Sequence, residues 1–257
     1  MKGEIMGIFD VAQIAIWLFW IFFAYLILYL RREDRREGYP LFQEPENRQK
    51  GDDWYFIPPP KTFRLANGET VEAPRKENDN ARDHKMKKVE PWPGAPFEPV
   101  GDPMTAAVGP GAYAERKNVP EFTLHGQPVI VPMRAAGAGF FIPGEDPDPR
   151  GMSVIGADGV TAGTVKDVWI DRSEVIIRYL EVALNGMARS VLLPMTFATV
   201  NGRRKRIEVS AILGGQFAGV PALASDQQIT KLEEDKVTAY FGAGTLYATR
   251  DRSESLL

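Results

Sequence analysis

Few side chains in this chain have the chemistry needed for nucleophilic catalysis or for metal binding. The sequence contains no cysteine and only two histidines, His84 and His125. The lack of cysteine excludes disulfides, thiolate metal sites and cysteine nucleophiles, and two histidines argue against a zinc or iron site built on imidazoles. P-loop, GxSxG and HExxH motifs are missing as well, so an enzyme has little support.

A group of charged residues separates two apolar runs in the second half of the chain. Asp171 and Glu174 lie in the sequence DRSE, and Arg178 follows four residues after Glu174. From the residues alone, DRSE is a polar turn between two strands. In the second strand, Arg178 would share a face with Ile176 and Leu180 because side chains alternate. Arg178 is then either an edge-strand charge or a counter-charge for buried carboxylates.

The element that must position the rest of the chain is an apolar segment near the N-terminus. Residues 11–30 contain one polar side chain, Gln13. About 20 apolar residues in a helix cross the ~30 Å hydrocarbon core of a bilayer, so we predict a transmembrane helix. A cleaved signal peptide is disfavoured because the apolar run is too long and no Ala-x-Ala-like site follows it.

Charge around this segment predicts its orientation. Four arginines follow it, Arg31, Arg32, Arg35 and Arg36, whereas only Lys2 precedes it. Lys and Arg accumulate on the cytoplasmic side, so the N-terminus is expected outside and the bulk of the chain in the cytoplasm. The arginines would also meet anionic lipid headgroups. The net charge of −3 gives a nucleic-acid partner no support.

Proline divides the remainder of the chain into two parts. Eighteen of the twenty prolines lie between Pro40 and Pro149, which excludes regular helix and central strand there. This region is also rich in aromatic residues, which disordered segments lack. We therefore favour a segment laid over another protein, with a flexible linker as the alternative. Residues 75–88 are highly charged and are the best candidate for a mobile piece.

After residue 151 the pattern changes to short strands. Apolar and β-branched runs predict strands at 164–170, 175–184, 190–200 and 206–212. Asn185-Gly186 and Asn201-Gly202 are typical of tight hairpin turns, the first of type I′. Five or six short strands indicate a small antiparallel barrel or sandwich. Residues 226–241 predict a helix, with Ser225 as N-cap and Gly242 as its stop.

Taken in order, these features resemble the H subunit of the photosynthetic reaction centre of purple bacteria. The likeness covers essentially the whole chain and is specific because the motifs occur in order beside a one-pass anchor. The motifs are LRREDRREGYPL (30–41), PKTF (60–63), GDPM (101–104), VGPGAYAER (108–116), IVPM (130–133), DPRG (148–151), VWIDRSE with RYLEV (168–182), FAGVP (217–221) and EEDKVTAY (233–240).

The resemblance implies a fold and an organisation. It implies a periplasmic N-terminus (1–10), a transmembrane helix (11–31), a Pro-rich extended cytoplasmic segment (32–150), and a mainly-β domain of PRC-type barrel with a C-terminal helix (151–257). The chain would sit in the bacterial inner, intracytoplasmic photosynthetic membrane. It would be non-catalytic, cap the pigment-binding L and M subunits, stabilise the complex and shield the quinone sites.

The resemblance also implies partners and cofactors. This chain would ligand no cofactor itself, whereas the complex would carry bacteriochlorophyll, bacteriopheophytin, quinones, non-haem iron and carotenoid. A light-harvesting antenna, a cytochrome subunit and anionic lipids, cardiolipin among them, are further partners that it allows. The rival interpretation is a membrane-tethered adaptor whose β-barrel binds another cytoplasmic protein.

The same resemblance implies a proton path to the secondary quinone. It places Asp171 and Glu174 on that path, with Arg178 beside them, and matches Glu121 and Glu234 to acidic positions near the quinone pocket. In an arbitrary protein, Glu234 would belong to a solvated helix face.

His125 matches the surface point at which the family collects protons, since histidine titrates near neutral pH. Some members place an acidic residue two positions before it and a second histidine two positions after it. Here those positions hold Thr123 and Gln127, so the cluster is reduced to one titrating group. A lone exposed histidine is the alternative interpretation of His125.

Overall fold

The computed structural model describes residues 4–6, 9–39, 42–43, 48–49, 57–66, 68–74 and 85–253. Most of the segment expected to be mobile, residues 75–84, lies outside these ranges, and so does His84. The described end of that segment, Met86–Lys88, forms a strand paired with Phe97–Pro99. The chain divides into two compact units, one of residues 1–83 and 90–96 and the other of residues 84–89 and 97–257.

The first unit contains the long apolar helix α1 (Val11–Glu33), close to the predicted range. Asp10 caps its N-terminus, because the Asp10 carboxylate accepts a hydrogen bond from the Ala12 N–H at 2.6 Å. None of its residues is buried, and apolar side chains cover the helix all round. Among the described residues, α1 with its extension to Arg36 is the one helix long and apolar enough to cross a membrane.

Within the described ranges, four small two-stranded antiparallel sheets lie outside the main sheet. The first three belong to the first unit and the fourth to the second unit. Their strands are β1 (Glu4–Met6) with β2 (Phe9–Asp10), β3 (Phe42–Gln43) with β4 (Arg48–Gln49), β5 (Lys61–Arg64) with β6 (Thr70–Ala73), and β7 (Met86–Lys88) with β8 (Phe97–Pro99).

The second unit is built on a seven-stranded sheet in the spatial order β13-β12-β11-β10-β15-β14, with β9 paired to the end of β11. The pair β10–β15 is parallel, so the predicted purely antiparallel arrangement is wrong in this detail. The strands are β9 (Ile130–Pro132), β10 (Ser153–Ile155), β11 (Thr161–Asp171), β12 (Ile176–Leu184), β13 (Ser190–Pro194), β14 (Thr199–Asn201) and β15 (Arg206–Glu208).

The Pro-rich segment contributes to this sheet. Strand β9 lies within the range expected to be extended, and it pairs with Trp169–Asp171 of β11. The short helix α2 (Met133–Ala136) follows it directly. Because residues 97–257 form one unit, the unit boundary differs from the domain boundary predicted at residue 150.

The C-terminal helix α3 (Lys231–Tyr247) starts and ends later than predicted. Its N-cap is Thr230 rather than Ser225, since Thr230 and Glu233 form a reciprocal capping box. Gly242 does not stop the helix. A Cβ there would lie 2.5 Å from the Pro110 carbonyl oxygen, so this glycine lets the Gly109–Gly111 turn approach the helix closely.

The core lies between the sheet and α3. Phe241 of α3 is fully buried and stacks on Phe197 with ring centroids 5.7 Å apart. Its edge meets Phe217 at 5.8 Å. Trp169, Leu180 and the other fully buried side chains of the sheet complete this core, which holds the ends of β11 and β12 at fixed positions.

Candidate functional site

The turn between β11 and β12 is organised by Asp171. This carboxylate is buried, with 4% of its side chain exposed. Its Oδ1 accepts hydrogen bonds from the backbone N–H groups of Ser173 at 2.8 Å and Glu174 at 2.9 Å. The predicted polar turn is therefore present, and a buried carboxylate fixes it. Val175 completes the turn with a φ of 56°, a conformation that β-branched residues rarely adopt.

Arg178 joins the two carboxylates of the turn. Its Nε lies 3.4 Å from Asp171 Oδ2, and a terminal guanidinium nitrogen lies 3.7 Å from Glu174 Oε2. The Glu174 side chain is 60% exposed. The three side chains therefore reach from solvent, at Glu174, to the buried carboxylate of Asp171. Ile176 and Arg178 are exposed, whereas Leu180 is buried. The β11–β12 register shifts between Ile177 and Tyr179, so the alternation expected of Ile176, Arg178 and Leu180 is interrupted at Arg178.

Glu234 brings a third carboxylate to this region from α3. Its Oε2 accepts a hydrogen bond from the Tyr179 hydroxyl at 3.3 Å. Burial raises the pKa of Glu234, and the carboxylates of Glu121 and Asp235 raise it further, which outweighs the opposing effect of Tyr179 and Arg178. Burial also raises the pKa of Tyr179, so its hydroxyl stays protonated and donates.

We call Asp171, Glu174, Arg178, Tyr179 and Glu234 the open cluster. The side chain to side chain contacts within this cluster, 3.3 to 3.7 Å, are long for charged hydrogen bonds, and one end of the cluster reaches solvent. Such an arrangement can pick up a proton at an exposed carboxylate and hold one at a carboxyl of raised pKa.

Glu121 and His125 lie at the margin of this cluster. Glu121 is 4.0 Å from the Lys231 ammonium, and both side chains are partly exposed. His125 is exposed in a hairpin loop that closes through the Thr123 N–H and the Gln127 carbonyl at 2.8 Å. Within the described part of the chain, no hydrogen bond or ion pair joins His125 to the open cluster. The structure therefore brings Asp171, Glu174, Arg178 and Glu234 together, but not His125.

A second group of charged residues, around strands β11 and β12, was not predicted from the sequence. Arg134 donates to Glu181 Oε2 at 2.6 Å and to Asp167 Oδ2 at 3.0 Å. Lys166 donates to Glu181 Oε1 at 2.8 Å, and the Trp169 indole N–H donates to Glu181 Oε2 at 3.2 Å. We call these five residues the closed cluster. Burial raises the pKa of Glu181, but the hydrogen bonds from Lys166, Arg134 and Trp169 together outweigh burial and lower it.

Two residues of the closed cluster, Asp167 and Glu181, could have been paired from the sequence pattern. Asp167 and Glu181 are direct cross-strand partners, and each interrupts an apolar strand, so a correct hairpin register would have paired them. Arg134 had no such signal. It comes from α2, 33 residues before Asp167, and only the tertiary fold brings it there.

The arginines after α1 have different environments. Arg31 and Arg32 are exposed, as lipid contact requires. Arg35 lies with its guanidinium carbon 5.1 Å from the centroid of the Tyr39 ring. Arg36 has 9% of its side chain exposed and is engaged within the chain. Lipid contact of these arginines stays a prediction, and Arg36 donates within the chain to Glu33, Pro59 and Ala73.

Described residues of the chain include no group of three or more His, Asp or Glu side chains that could hold a metal ion. The open cluster in particular has an arginine between its carboxylates, and a guanidinium cation disfavours a metal cation at the same place.

Comparison with protein families gives two matches. The model of the photosynthetic reaction centre H-chain N-terminal region matches residues 3–135. The chain belongs to the reaction centre H-chain family. The PRC-barrel domain matches residues 145–215, which include strands β10 to β15 of the main sheet.

These matches confirm the resemblance drawn from the sequence and the predicted fold class of one N-terminal apolar helix, a PRC-barrel domain and a C-terminal helix. As an H chain, the protein is a membrane-anchored subunit of the photosynthetic reaction centre and associates with that complex. The H-chain match includes the Arg31–Glu37 charges and β9, and the PRC-barrel match includes Asp171, Glu174, Arg178 and Tyr179.

Proposed function

We propose that this H chain caps the cytoplasmic face of the L and M subunits, stabilises the complex and shields the quinone sites from water. The orientation is part of this proposal: residues 1–10 lie in the periplasm, and the Pro-rich segment and the barrel lie in the cytoplasm. Two observations support it. Arginines are concentrated after α1, and residues 97–257 form a compact unit large enough to cover a partner surface.

In this proposal the pigments, quinones, iron and carotenoid are bound by the partner subunits. The composition of this chain supports that division, since it offers no cysteine and only two histidines as ligands. The chain itself carries out no catalytic step. A quinone bound by the partners supplies the redox chemistry, which takes up two electrons and two protons.

The open cluster would supply part of the proton path. Glu174 is exposed and exchanges protons with water, whereas Asp171 is buried three residues away. Arg178 lies between these two carboxylates. Glu234 retains a proton at higher pH than an ordinary glutamate, and it accepts a hydrogen bond from Tyr179. The cluster therefore combines an acceptor open to solvent with an internal proton reservoir.

The single observation that carries this function is the convergence of Asp171, Glu174 and Glu234 around Arg178 in a chain of the H-chain family. Three carboxylates from two places in the sequence meet there, and Glu234 has a raised pKa. A merely solvated turn would not require a buried aspartate. Glu121 and His125 belong to the proposal as outer groups that collect protons.

The test is Glu174→Gln in the intact complex. We expect a several-fold slower second, proton-coupled electron transfer to quinone, with a normal first electron transfer, measured by flash absorption spectroscopy at neutral and alkaline pH. Glu208→Gln is the matched control, because Glu208 lies on β15 and pairs with Arg206 outside the open cluster. An unchanged second transfer in Glu174→Gln would remove this residue from the path.

A cavity beside the open cluster favours a second candidate function. It has a volume of about 510 Å³ and is lined mainly by apolar side chains, among them Phe141, Val175 and Ile176. Under the main proposal, partner subunits cover this surface. Under the adaptor proposal, the barrel binds another cytoplasmic protein. A protease-sensitive segment 40–150 in the native assembly would favour the adaptor, and co-purification with near-infrared-absorbing pigments would exclude it.

A further inference from the structure

Strands β5 and β6 form a small hairpin with two different faces. Cross-strand partners are Lys61 with Ala73 and Phe63 with Val71 on one face. Since side chains alternate along a strand, Thr62 and Glu72 occupy the opposite face. The first face is therefore apolar apart from Lys61, and Phe63 is 45% exposed on it. A lone two-stranded sheet is marginally stable in water, so this face needs a covering.

The base of this hairpin is fixed to the end of helix α1. Arg36 donates to the Pro59 and Ala73 carbonyls, both at 2.9 Å, and to the Glu33 carboxylate at 2.9 Å. Lys61 donates to the same carboxylate at 2.8 Å. Glu33 is the last residue of α1. Two cations thus hold both hairpin strands against one carboxylate at the helix terminus.

This attachment determines the height of the hairpin relative to a membrane. Glu33 lies three residues beyond Leu30, the end of the apolar run, which is about 4.5 Å along a helix. The polar layer on each side of the hydrocarbon core is roughly 5–8 Å thick. Glu33, Arg36 and the hairpin base therefore fall within the headgroup layer when α1 spans the bilayer.

We propose that the β5–β6 hairpin is a membrane-interfacial element whose Phe63–Val71 face rests on lipid at the boundary between headgroups and acyl chains. The occupant is lipid rather than protein because Lys61, on the same face as Phe63, is held by Glu33 at the end of the membrane-spanning helix, which places this face at the depth of the headgroups. An aromatic side chain next to a cation is the combination that interfaces favour. The proposal rests on the membrane anchoring of α1 and is independent of the proton path.

The experiment uses spin labels, because the chain has no native cysteine to remove. Phe63→Cys and Thr62→Cys are made separately in the full-length chain, within the intact complex, and reconstituted into phosphatidylcholine–phosphatidylglycerol vesicles. Electron paramagnetic resonance then measures collision of each label with oxygen, which partitions into lipid, and with a water-soluble nickel chelate. Ile21→Cys on α1, which is 66% exposed, is the reference for lipid contact.

We expect the oxygen-to-nickel collision ratio at position 63 to exceed that at position 62 several-fold and to approach that at position 21. Equal ratios at 62 and 63, both water-like, would overturn the proposal. A label at position 63 shielded from both reagents would overturn it too, because protein rather than lipid would then cover the face. A lipid-like ratio at position 21 alone would show that anchoring holds while the interfacial hairpin does not.

The attachment itself is tested by adding Arg36→Gln to the Phe63→Cys chain. Glutamine cannot bridge both carbonyls and the carboxylate as the guanidinium does. We expect the ratio at position 63 to fall toward the water-like value of position 62, with position 21 unchanged. A ratio at position 63 that stays lipid-like without Arg36 would show that the attachment does not position the hairpin.

Discussion

The open and closed clusters both include residues of strands β11 and β12, yet they differ in the distances to their charged donors and in the direction of the pKa shift of a glutamate. In the closed cluster, Glu181 has three donors within 3.2 Å, and two of them carry positive charge. In the open cluster, Arg178 stands 3.4 and 3.7 Å from its two carboxylates. The pKa of Glu181 is lowered, whereas the pKa of Glu234 is raised.

The contrast shows that one β-hairpin can contribute both to a structural charge cluster and to a candidate proton-transfer cluster. Glu181 accepts hydrogen bonds from Arg134, Lys166 and Trp169, its pKa is lowered, and the cluster attaches α2 to the sheet. Glu234 accepts a longer hydrogen bond from the Tyr179 hydroxyl at 3.3 Å, and its pKa is raised. Buried charge alone is therefore a poor guide to a functional site, and the comparison of Glu181 with Glu234 shows that the donors around a carboxylate must be considered as well.

The largest effect is expected on removing the cation of the closed cluster. Arg134→Met leaves the buried carboxylates of Asp167 and Glu181 without their shared partner. We expect a loss of roughly 3 kcal/mol in the free energy of unfolding of the barrel, measured by chemical denaturation of the detergent-solubilised chain with circular dichroism.

Arg150→Met is the control for this loss. Arg150 pairs with Asp148, and both side chains are more than two-fifths exposed. An exposed pair is worth less than about 1 kcal/mol, so this variant should unfold close to the native chain. Equal losses in the two variants would contradict the distinction between buried and exposed pairing drawn here.

The closed cluster should make the stability of the chain depend on pH in the acidic range. The folded pKa of Glu181 is below the ordinary value of 4.5, so the folded state binds its proton less readily than the unfolded state. Its stabilising contribution is present above pH 4.5 and is lost as pH falls through the folded pKa. The native chain should therefore lose stability more steeply below pH 4.5 than Glu181→Gln. Parallel curves for the two chains would contradict this.

For Glu234 of the open cluster, the pH dependence of stability should have the opposite sign. The folded pKa of Glu234 is above its ordinary value of 4.5, so the folded state binds the proton more tightly. The corresponding stability is present below pH 4.5 and is lost as pH rises through the folded pKa. Glu234→Gln should remove this decline and unfold no earlier than the native chain at pH 8, measured by thermal denaturation. An earlier unfolding of the variant would show that the ionised form is stabilised instead.

The smallest effect is expected at the turn of the open cluster. Val175 has a φ of 56° and is 69% exposed. Relief of roughly 1–2 kcal/mol of left-handed strain is partly offset by the backbone entropy of glycine, about 0.5–1 kcal/mol. Val175→Gly should therefore stabilise the chain slightly, by about 0.5 kcal/mol. A marked loss of stability would show that the valine side chain is needed in the turn.

Much of the fold followed from local patterns, and the differences arise where tertiary packing decides. Strand positions around Asp171 and Leu184 were predicted nearly correctly because alternation and the DRSE turn are local signals. The Asn185-Gly186 turn lies where expected, but it is not the two-residue type I′ turn. Asn185 has no positive φ, and the Leu184 N–H bonds the Arg189 carbonyl at 3.3 Å, which gives a four-residue loop.

The bounds of other elements depend on tertiary contacts that the spacing of residues in the sequence does not show. Pro194 ends the strand predicted to run to residue 200, and a short 3-10 helix (Met195–Phe197) separates β13 from β14. The range of α3 was misjudged because Gly242 serves packing against the Gly109–Gly111 turn.

Four of the five residues of the open cluster, Asp171, Glu174, Arg178 and Glu234, were named through the family resemblance, whereas Tyr179 was not. The closed cluster was missed because Arg134 reaches it only through the fold of β9 and α2. The roles of the named residues remain predictions until the kinetics are measured.

Proton uptake by the intact complex tests the central claim most directly. The double variant Asp171→Asn/Glu174→Gln keeps the turn, because the asparagine oxygen can still accept the two backbone hydrogen bonds, but it removes two titrating groups. Light-induced proton uptake is followed with a pH-indicator dye at pH 7–8. We expect slower uptake with an unaltered first electron transfer to quinone. Uptake at the native rate, in a complex that retains this chain, would contradict it.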